Sequence, residues 1–134
     1  MKRLLLIALA GMLLASIHAS AAPTDDDKEG TITGMPIKRA GSGWLGLEIK
    51  DDCFRLTFYN DKKKPVPADR PAAVLHWPVH YQPNDERTEL GAGDDPSVLT
   101  SSYPVKAPHT FKLYITLLIS GSADVESYVV DFSE

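Results

Sequence analysis

One cysteine, Cys53, stands in a chain of 134 residues. A single thiol cannot close an internal disulfide, so this is not a disulfide-stapled scaffold. Cys53 is therefore buried and inert, free, or paired with another molecule. Basic charge is scarce as well: 14 Lys and Arg face 18 Asp and Glu, a net charge of −4 at pH 7. A chain without a Lys/Arg stripe is poorly suited to nucleic acid, whose affinity rests on neutralising phosphates. The one basic cluster, Lys62-Lys63-Lys64, is flanked by Asp61 and Asp69 and reads as a solvated turn. Also missing are a G-x-S-x-G nucleophile elbow, a Gly-rich phosphate loop after a strand, and calcium-loop spacing. Acidic pairs are frequent, but Asp51-Asp52, Asp85-Glu86 and Asp94-Asp95 fall in turn segments, where Asp hydrogen-bonds its own backbone. A glycosidase dyad needs carboxylates held ~5–9.5 Å apart across a cleft. These absences leave no catalytic motif and imply no cofactor.

Long apolar runs are confined to the N-terminus. Lys2 and Arg3 precede an apolar stretch that begins at Leu4 and decays into Ala19-Ser20-Ala21-Ala22. A basic end, a short apolar helix and an A-x-A site form the layout of a secretory signal peptide. The alternative is an uncut membrane anchor, yet a spanning helix needs ~20 predominantly apolar residues. The stretch from Leu4 to Ile17 is shorter, contains Gly11 and Ser16, and stops at His18. The expectation is a signal peptide over 1–21, cut after Ala21 or Ala22, and a secreted or periplasmic mature chain without a membrane span. A lipid anchor would need a Cys at the cut, and Cys53 lies far downstream. Residues 22–29 contain Asp25-Asp26-Asp27 and read as a disordered acidic leader. About 110 mature residues then make a single domain, 30–134, large enough for its own core.

From Gly30 onward the apolar period is two, and Gly and Pro break the chain at short intervals, the all-β pattern. Trp44 to Tyr59 carries it most clearly. Leu45, Leu47 and Ile49 alternate with polar or small residues, then Asp51-Asp52, then Phe54, Leu56 and Phe58 alternate in turn. Folded about the two aspartates, Lys50 faces Cys53, Ile49 faces Phe54, Leu47 faces Leu56 and Leu45 faces Phe58. Glu48 then meets Arg55, and Trp44 meets Tyr59. A one-residue slip would turn the whole apolar set to water.

Further strands are expected at Thr31 to Ile37, Ala72 to Tyr81, Val98 to Val105, Phe111 to Ile119 and Val125 to Phe132. Pro78 cannot donate to a ladder, which places Ala72 to Tyr81 at an edge or on a bulge. Phe111 to Ile119 is the expected central strand. Loops are expected at Asn60 to Pro71, Gln82 to Thr88 and Gly91 to Pro96. About seven antiparallel strands in ~100 residues predict two facing sheets, an immunoglobulin-like sandwich.

The stretch from Phe54 to Tyr59, followed by a charged turn and Lys64-Pro65-Val66, resembles the start of many bacterial extracytoplasmic Ig-like β-sandwich domains. These include carriers of extracellular modules and small accessory proteins of copper handling and oxidase assembly. The resemblance implies fold and compartment. The copper-handling members use Met- and His-rich segments that this chain largely lacks.

Three chemistries remain to be weighed. His76-Trp77-Pro78-Val79-His80-Tyr81 holds two histidines four apart, a zinc spacing on a helix. On a strand they sit ~13 Å apart at ~3.3 Å per residue, beyond what one ion with Zn–N bonds of ~2.0–2.1 Å spans. A metal would need partners from elsewhere, such as His109 or Met35, a set a soft copper ion accepts. Alternation turns Trp77 and Tyr81 inward as core. Cys53, beside Arg55, is the one candidate nucleophile, and it lacks a base visible in the sequence. The reading that follows is a non-catalytic binding or accessory protein whose partner is another protein or an envelope polymer. Its expected surface comprises the edge strand around His76 and His80 and the loops bearing Lys63, Asp85 and Arg87. A copper-handling accessory protein is the second reading, and a Cys-dependent enzyme the third.

Overall fold

Alternating apolar and polar residues fold into eight antiparallel strands in the computed structural model, which describes residues 29–134. They are β1 (Met35–Lys38), β2 (Trp44–Lys50), β3 (Cys53–Tyr59), β4 (Ala72–Trp77), β5 (Glu86–Ala92), β6 (Val98–Ser101), β7 (Thr110–Leu118) and β8 (Val125–Ser133). The expected signal peptide over 1–21, and all of the leader over 22–29 except Glu29, lie outside the described residues. Among the described residues no helix is long and apolar enough to cross a membrane.

The β2–β3 hairpin shows how side chains dictate the fold. Asp51 and Asp52 both take positive φ, 53° and 63°, the backbone of a primed turn whose twist matches the strands it joins. Aspartate tolerates that region because its short side chain can bond locally. The register pairs Lys50 with Cys53, Ile49 with Phe54, Leu47 with Leu56 and Leu45 with Phe58. That is the pairing the alternation demands. Leu45, Leu47, Phe54, Leu56 and Phe58 are fully buried. On the outer face Glu48 lies 3.8 Å from the Arg55 guanidinium. Tyr59 also points outward and is buried all the same, because residues 29–34 lie over it. The Thr33 N–H donates to its hydroxyl at 3.0 Å, and the Gly30 N–H donates to the Lys62 carbonyl at 2.7 Å. Gly46 permits this cover, since a Cβ there would meet the Thr33 carbonyl and the Ile32 side chain.

All eight strands form one sheet in the order β1-β2-β3-β6-β5-β4-β7-β8. The sequence pattern predicted about seven strands in two facing sheets; the hydrogen bonding instead runs continuously. β5 supplies the bridge. It pairs with β4 on one side and β6 on the other, and β6 pairs with β3. Its residues fall largely in the expected loops Gln82 to Thr88 and Gly91 to Pro96. The strand hides because Leu90 is its only large apolar residue. Its period of two is still present: Thr88 and Leu90 are buried while Arg87 and Glu89 are exposed.

Other boundaries move for local reasons. β4 stops at Trp77 because Pro78 has no N–H to continue the ladder. β1 begins at Met35 rather than Thr31, and β6 ends at Ser101 rather than Val105. β7 lies next to the terminal strand β8 rather than at the centre of the sheet. Its inward face is nevertheless as expected, with Leu113, Ile115 and Leu117 fully buried.

One apolar face on every strand curls the sheet until β1 and β8 approach, giving a nearly closed barrel. No ladder joins these two strands among the described residues, so side chains bind the seam. Arg39, just beyond β1, donates from Nε and Nη2 to Glu126 of β8 at 2.9 and 2.8 Å. Its Nη1 donates to both oxygens of Asp69 at 3.0 and 3.1 Å. Arg70 adds an ion pair with Glu126 at 3.1 Å. The Ala40 N–H donates to the Tyr128 hydroxyl at 2.9 Å, and at the far end of the seam the Ile49 N–H donates to Glu134 at 2.7 Å.

The Arg39 guanidinium holds the Glu126 carboxyl at about 2, against 4.5 ordinarily. A depressed carboxylate contributes stability that is full above its ordinary value and is lost as pH falls through the depressed one. The stability gap between wild type and Glu126→Gln is therefore expected to be about 2 kcal/mol near neutrality, after solvent screening, and to close between pH 4.5 and 2. Urea midpoints at a series of pH values measure it. A gap independent of pH would remove Glu126 from the seam's energetics.

Candidate functional site

Where β4 stops, the barrel opens. Pro78 turns the chain outward through residues 78–85 before β5 returns it. Opposite, residues 102–109 lead from β6 to β7, tied down in part by the Glu134 N–H, which donates to the His109 carbonyl at 3.0 Å. The Val105 N–H donates to the Asp52 carbonyl, and the His109 Nε2 lies 3.1 Å from the Val105 carbonyl. Buried Val105 thereby joins the core at this end.

Between the two segments lies a cleft of about 290 Å³. Its floor is aromatic. The Trp77 indole stacks on Phe111 at 5.2 Å and 20°, and Phe111 stacks on Phe132 at 5.6 Å and 22°. Phe54 meets Trp77, Phe132 and Phe111 edge-on at 5.2, 5.9 and 6.3 Å. Offset-stacked and edge-to-face pairs suit the ring quadrupoles, so the floor is a locked layer joining four strands. Val79 and Tyr81 form one wall, and Lys106, Ala107 and Pro108 the other.

Tyr81 shapes the rim. Its side chain is 56 % exposed, and its hydroxyl donates to Glu86 at 2.7 Å. That carboxylate pushes the phenol's pKa above its ordinary value. The Lys106 ammonium sits 5.1 Å from the centre of the Tyr81 ring, a cation–π distance. Beyond Tyr81 a smaller hollow of about 60 Å³ is lined by Arg87 and Tyr103 among others.

The residues singled out in the sequence scatter over the molecule. β4 is flanked by β5 and β7 through His76, so it is not an edge strand and offers no free ladder there. His76 is engaged on the outer face: its Nδ1 lies 2.9 Å from Asp85, and its ring stacks on Tyr114 at 4.7 Å and 4°. Arg87 is its partner across β5, so His76, Asp85 and Arg87 come together. His80 lies apart from them, in the lining of the aromatic cleft. Lys63 is elsewhere, 2.8 Å from Glu29 and 5.0 Å from the Trp44 ring centre. Met35 borders a different hollow at the β1–β8 seam. His80 and Met35 thus line different hollows, and His109 lines neither, its Nε2 lying against the Val105 carbonyl. Among the described residues no three His, Cys, Asp or Glu side chains converge as metal donors.

Cys53 is a half-buried free thiol at the start of β3. Arg55, expected to act on it, is turned to Glu48. Tyr81, expected in the core, is at the rim, because the strand that would have turned it inward ends at Trp77. Phe111, Lys106 and Lys112 were not foreseen as site residues. Phe111 reads as ordinary core, and the only signal for the wall was the Lys-Ala-Pro-His run at 106–109 after a short strand. Comparison of the chain with family models, with curated proteins and with solved structures found no match.

Proposed function

We propose that this chain is an exported, non-catalytic binding protein whose recognition site is the aromatic cleft at the open end of the barrel. The observation that carries the reading is the Trp77–Phe111 stack forming the floor of a concave, solvent-connected site. Ligand sites are typically concave and largely apolar, with a few polar groups that set orientation. Here Tyr81, His80 and Lys106 are those groups. The export half rests on Lys2-Arg3, the apolar run and the Ala19-Ser20-Ala21 site, supported by the likeness of Phe54 to Val66 to extracytoplasmic Ig-like domains. The binding half is favoured over a Cys-dependent enzyme by the absence, among the described residues, of a hydrogen bond from Cys53 to any base.

Expression of the full chain in a bacterial host, followed by intact-mass measurement of the extracytoplasmic fraction, tests export. The expected product begins at Ala22 or Pro23; an uncut chain retained in the cytosol overturns it. NMR of the mature protein against a library of small fragments tests the site. Perturbed signals are expected to gather on Trp77, Val79, Tyr81 and Phe111. Hits gathered on another surface, with none on these four, would sink the cleft as the site.

A further inference from the structure

We propose that the cleft takes a small free carboxylate carried on an apolar alkyl or aromatic body, an inference that rests on the binding reading above and names its ligand class. The chain as a whole is acidic, with 18 Asp and Glu against 14 Lys and Arg. The cleft reverses that balance. Lys106, Lys112 and His80 line it, and among the described residues no Asp or Glu does. Neither lysine takes part in an ion pair among the described residues. The contact recorded for Lys106 is the Tyr81 ring face, which leaves its ammonium without a carboxylate. Glu86 accepts from the Tyr81 hydroxyl and lines the neighbouring hollow, which Lys106 also borders.

The two halves of the site therefore ask for two halves of a ligand. Stacked Trp77 and Phe111 offer apolar surface to a ring or alkyl chain. Lys106, over the Tyr81 ring at the rim, offers positive charge to an anionic head held near solvent, where the head keeps part of its hydration. Lys112 borders the cleft from the outer side of β7, opposite Asp131 of β8. Size sets the scale. At about 290 Å³ the cleft falls at the small end of the ~300–1,000 Å³ range of ligand pockets. Two chain segments wall it, 78–81 and 106–108. Both points favour a compact free molecule over a continuous polymer.

Three probes sharing one body separate the possibilities: 4-phenylbutanoate, its neutral amide, and 4-phenylbutylamine. Each is titrated into the mature protein while the Trp77 indole N–H signal is followed, assigned with a Trp44→Phe variant. The carboxylate is expected to bind on the order of fivefold more tightly than the amide, the upper reach of one exposed charge pair. The amine is expected to bind more weakly than either. In a Lys106→Met/Lys112→Met variant the carboxylate and amide should become equal. If they bind wild type equally, or if the preference survives in the variant, the carboxylate assignment falls and the cleft remains a binding site. If no probe moves the Trp77 signal, the assignment and the site reading fall together. A 4-phenylbutanoate amide linked to a soluble polymer that binds as tightly as the free carboxylate overturns the preference for a small anion.

Discussion

Phe54→Ala is expected to destabilise the folded chain by about 3–5 kcal/mol, the range for removing a large aromatic from a packed core. Phe54 is fully buried, and its ring edges contact Trp77, Phe111 and Phe132 within 6.3 Å. Those neighbours stack on one another and cannot follow the missing ring inward without breaking their own pairs, so a cavity remains. Domains of this size have only ~5–15 kcal/mol in total, and the loss would be most of a modest reserve. In urea, with a slope near 1.5 kcal/mol/M, the midpoint should fall by roughly 2–3 M. Phe54→Leu, which refills part of the space, should recover about half of the loss. A deficit below about 1.5 kcal/mol for the alanine variant would mean that the aromatic layer is not the packed floor described here.

Arg39→Met is the second large effect, expected at about 3 kcal/mol. The Arg39 side chain is only 8 % exposed, lies 5.4 Å from the Phe58 ring centre, and holds Asp69 and Glu126 at once. Its removal strands the two acids unequally. Asp69 is 56 % exposed and can turn to water, whereas Glu126 is 14 % exposed and keeps only the Arg70 guanidinium and the Tyr128 hydroxyl. Breaking one side of a buried pair costs more than removing both, because the survivor's charge stays desolvated. The double variant Arg39→Met/Glu126→Gln should therefore be more stable than Arg39→Met alone. A double-mutant cycle from urea midpoints measures the coupling, expected at about 3 kcal/mol and so larger than the cost of Glu126→Gln alone. Additive single effects would show that the seam is held by backbone packing instead of by this network.

The hairpin from Trp44 to Tyr59 was legible down to each pair. Its apolar residues sit on one face in only one register, and Asp51-Asp52 can supply the positive φ that the turn demands. β7 and β8 were legible for the same reason, a run of alternation long enough to leave a single solution. β5 was not, because strands flanked on both sides draw stability from backbone pairing as well as side chains. Glu86, Arg87 and Glu89 could face water while their backbone paired with β4 and Leu90, Gly91 and Ala92 paired with β6. Missing β5 also hid the continuity of the sheet.

The candidate site was less legible than the fold. Alternation turns Trp77 and Tyr81 inward; Trp77 is buried accordingly, whereas Tyr81 lies past the end of β4 and stands at the rim. Phe111 and Lys106 are 34 and 29 residues from Trp77 in the chain, and local pattern carries no information across such distances. His76 and His80 looked like a pair in the sequence, yet one is fixed on the outer face by Asp85 and Tyr114 while the other lines the cleft.

Residue order alone determined the all-β class, the faces of the longest strands and the closest turn, since each depends on neighbours a few positions apart. Tertiary structure alone decided that one sheet curls toward closure, that Arg39 binds its seam, and that an aromatic floor opens beside Tyr81 and Lys106. Those features depend on which distant strands share an edge, a choice made by the summed burial of every inward face rather than by any one segment.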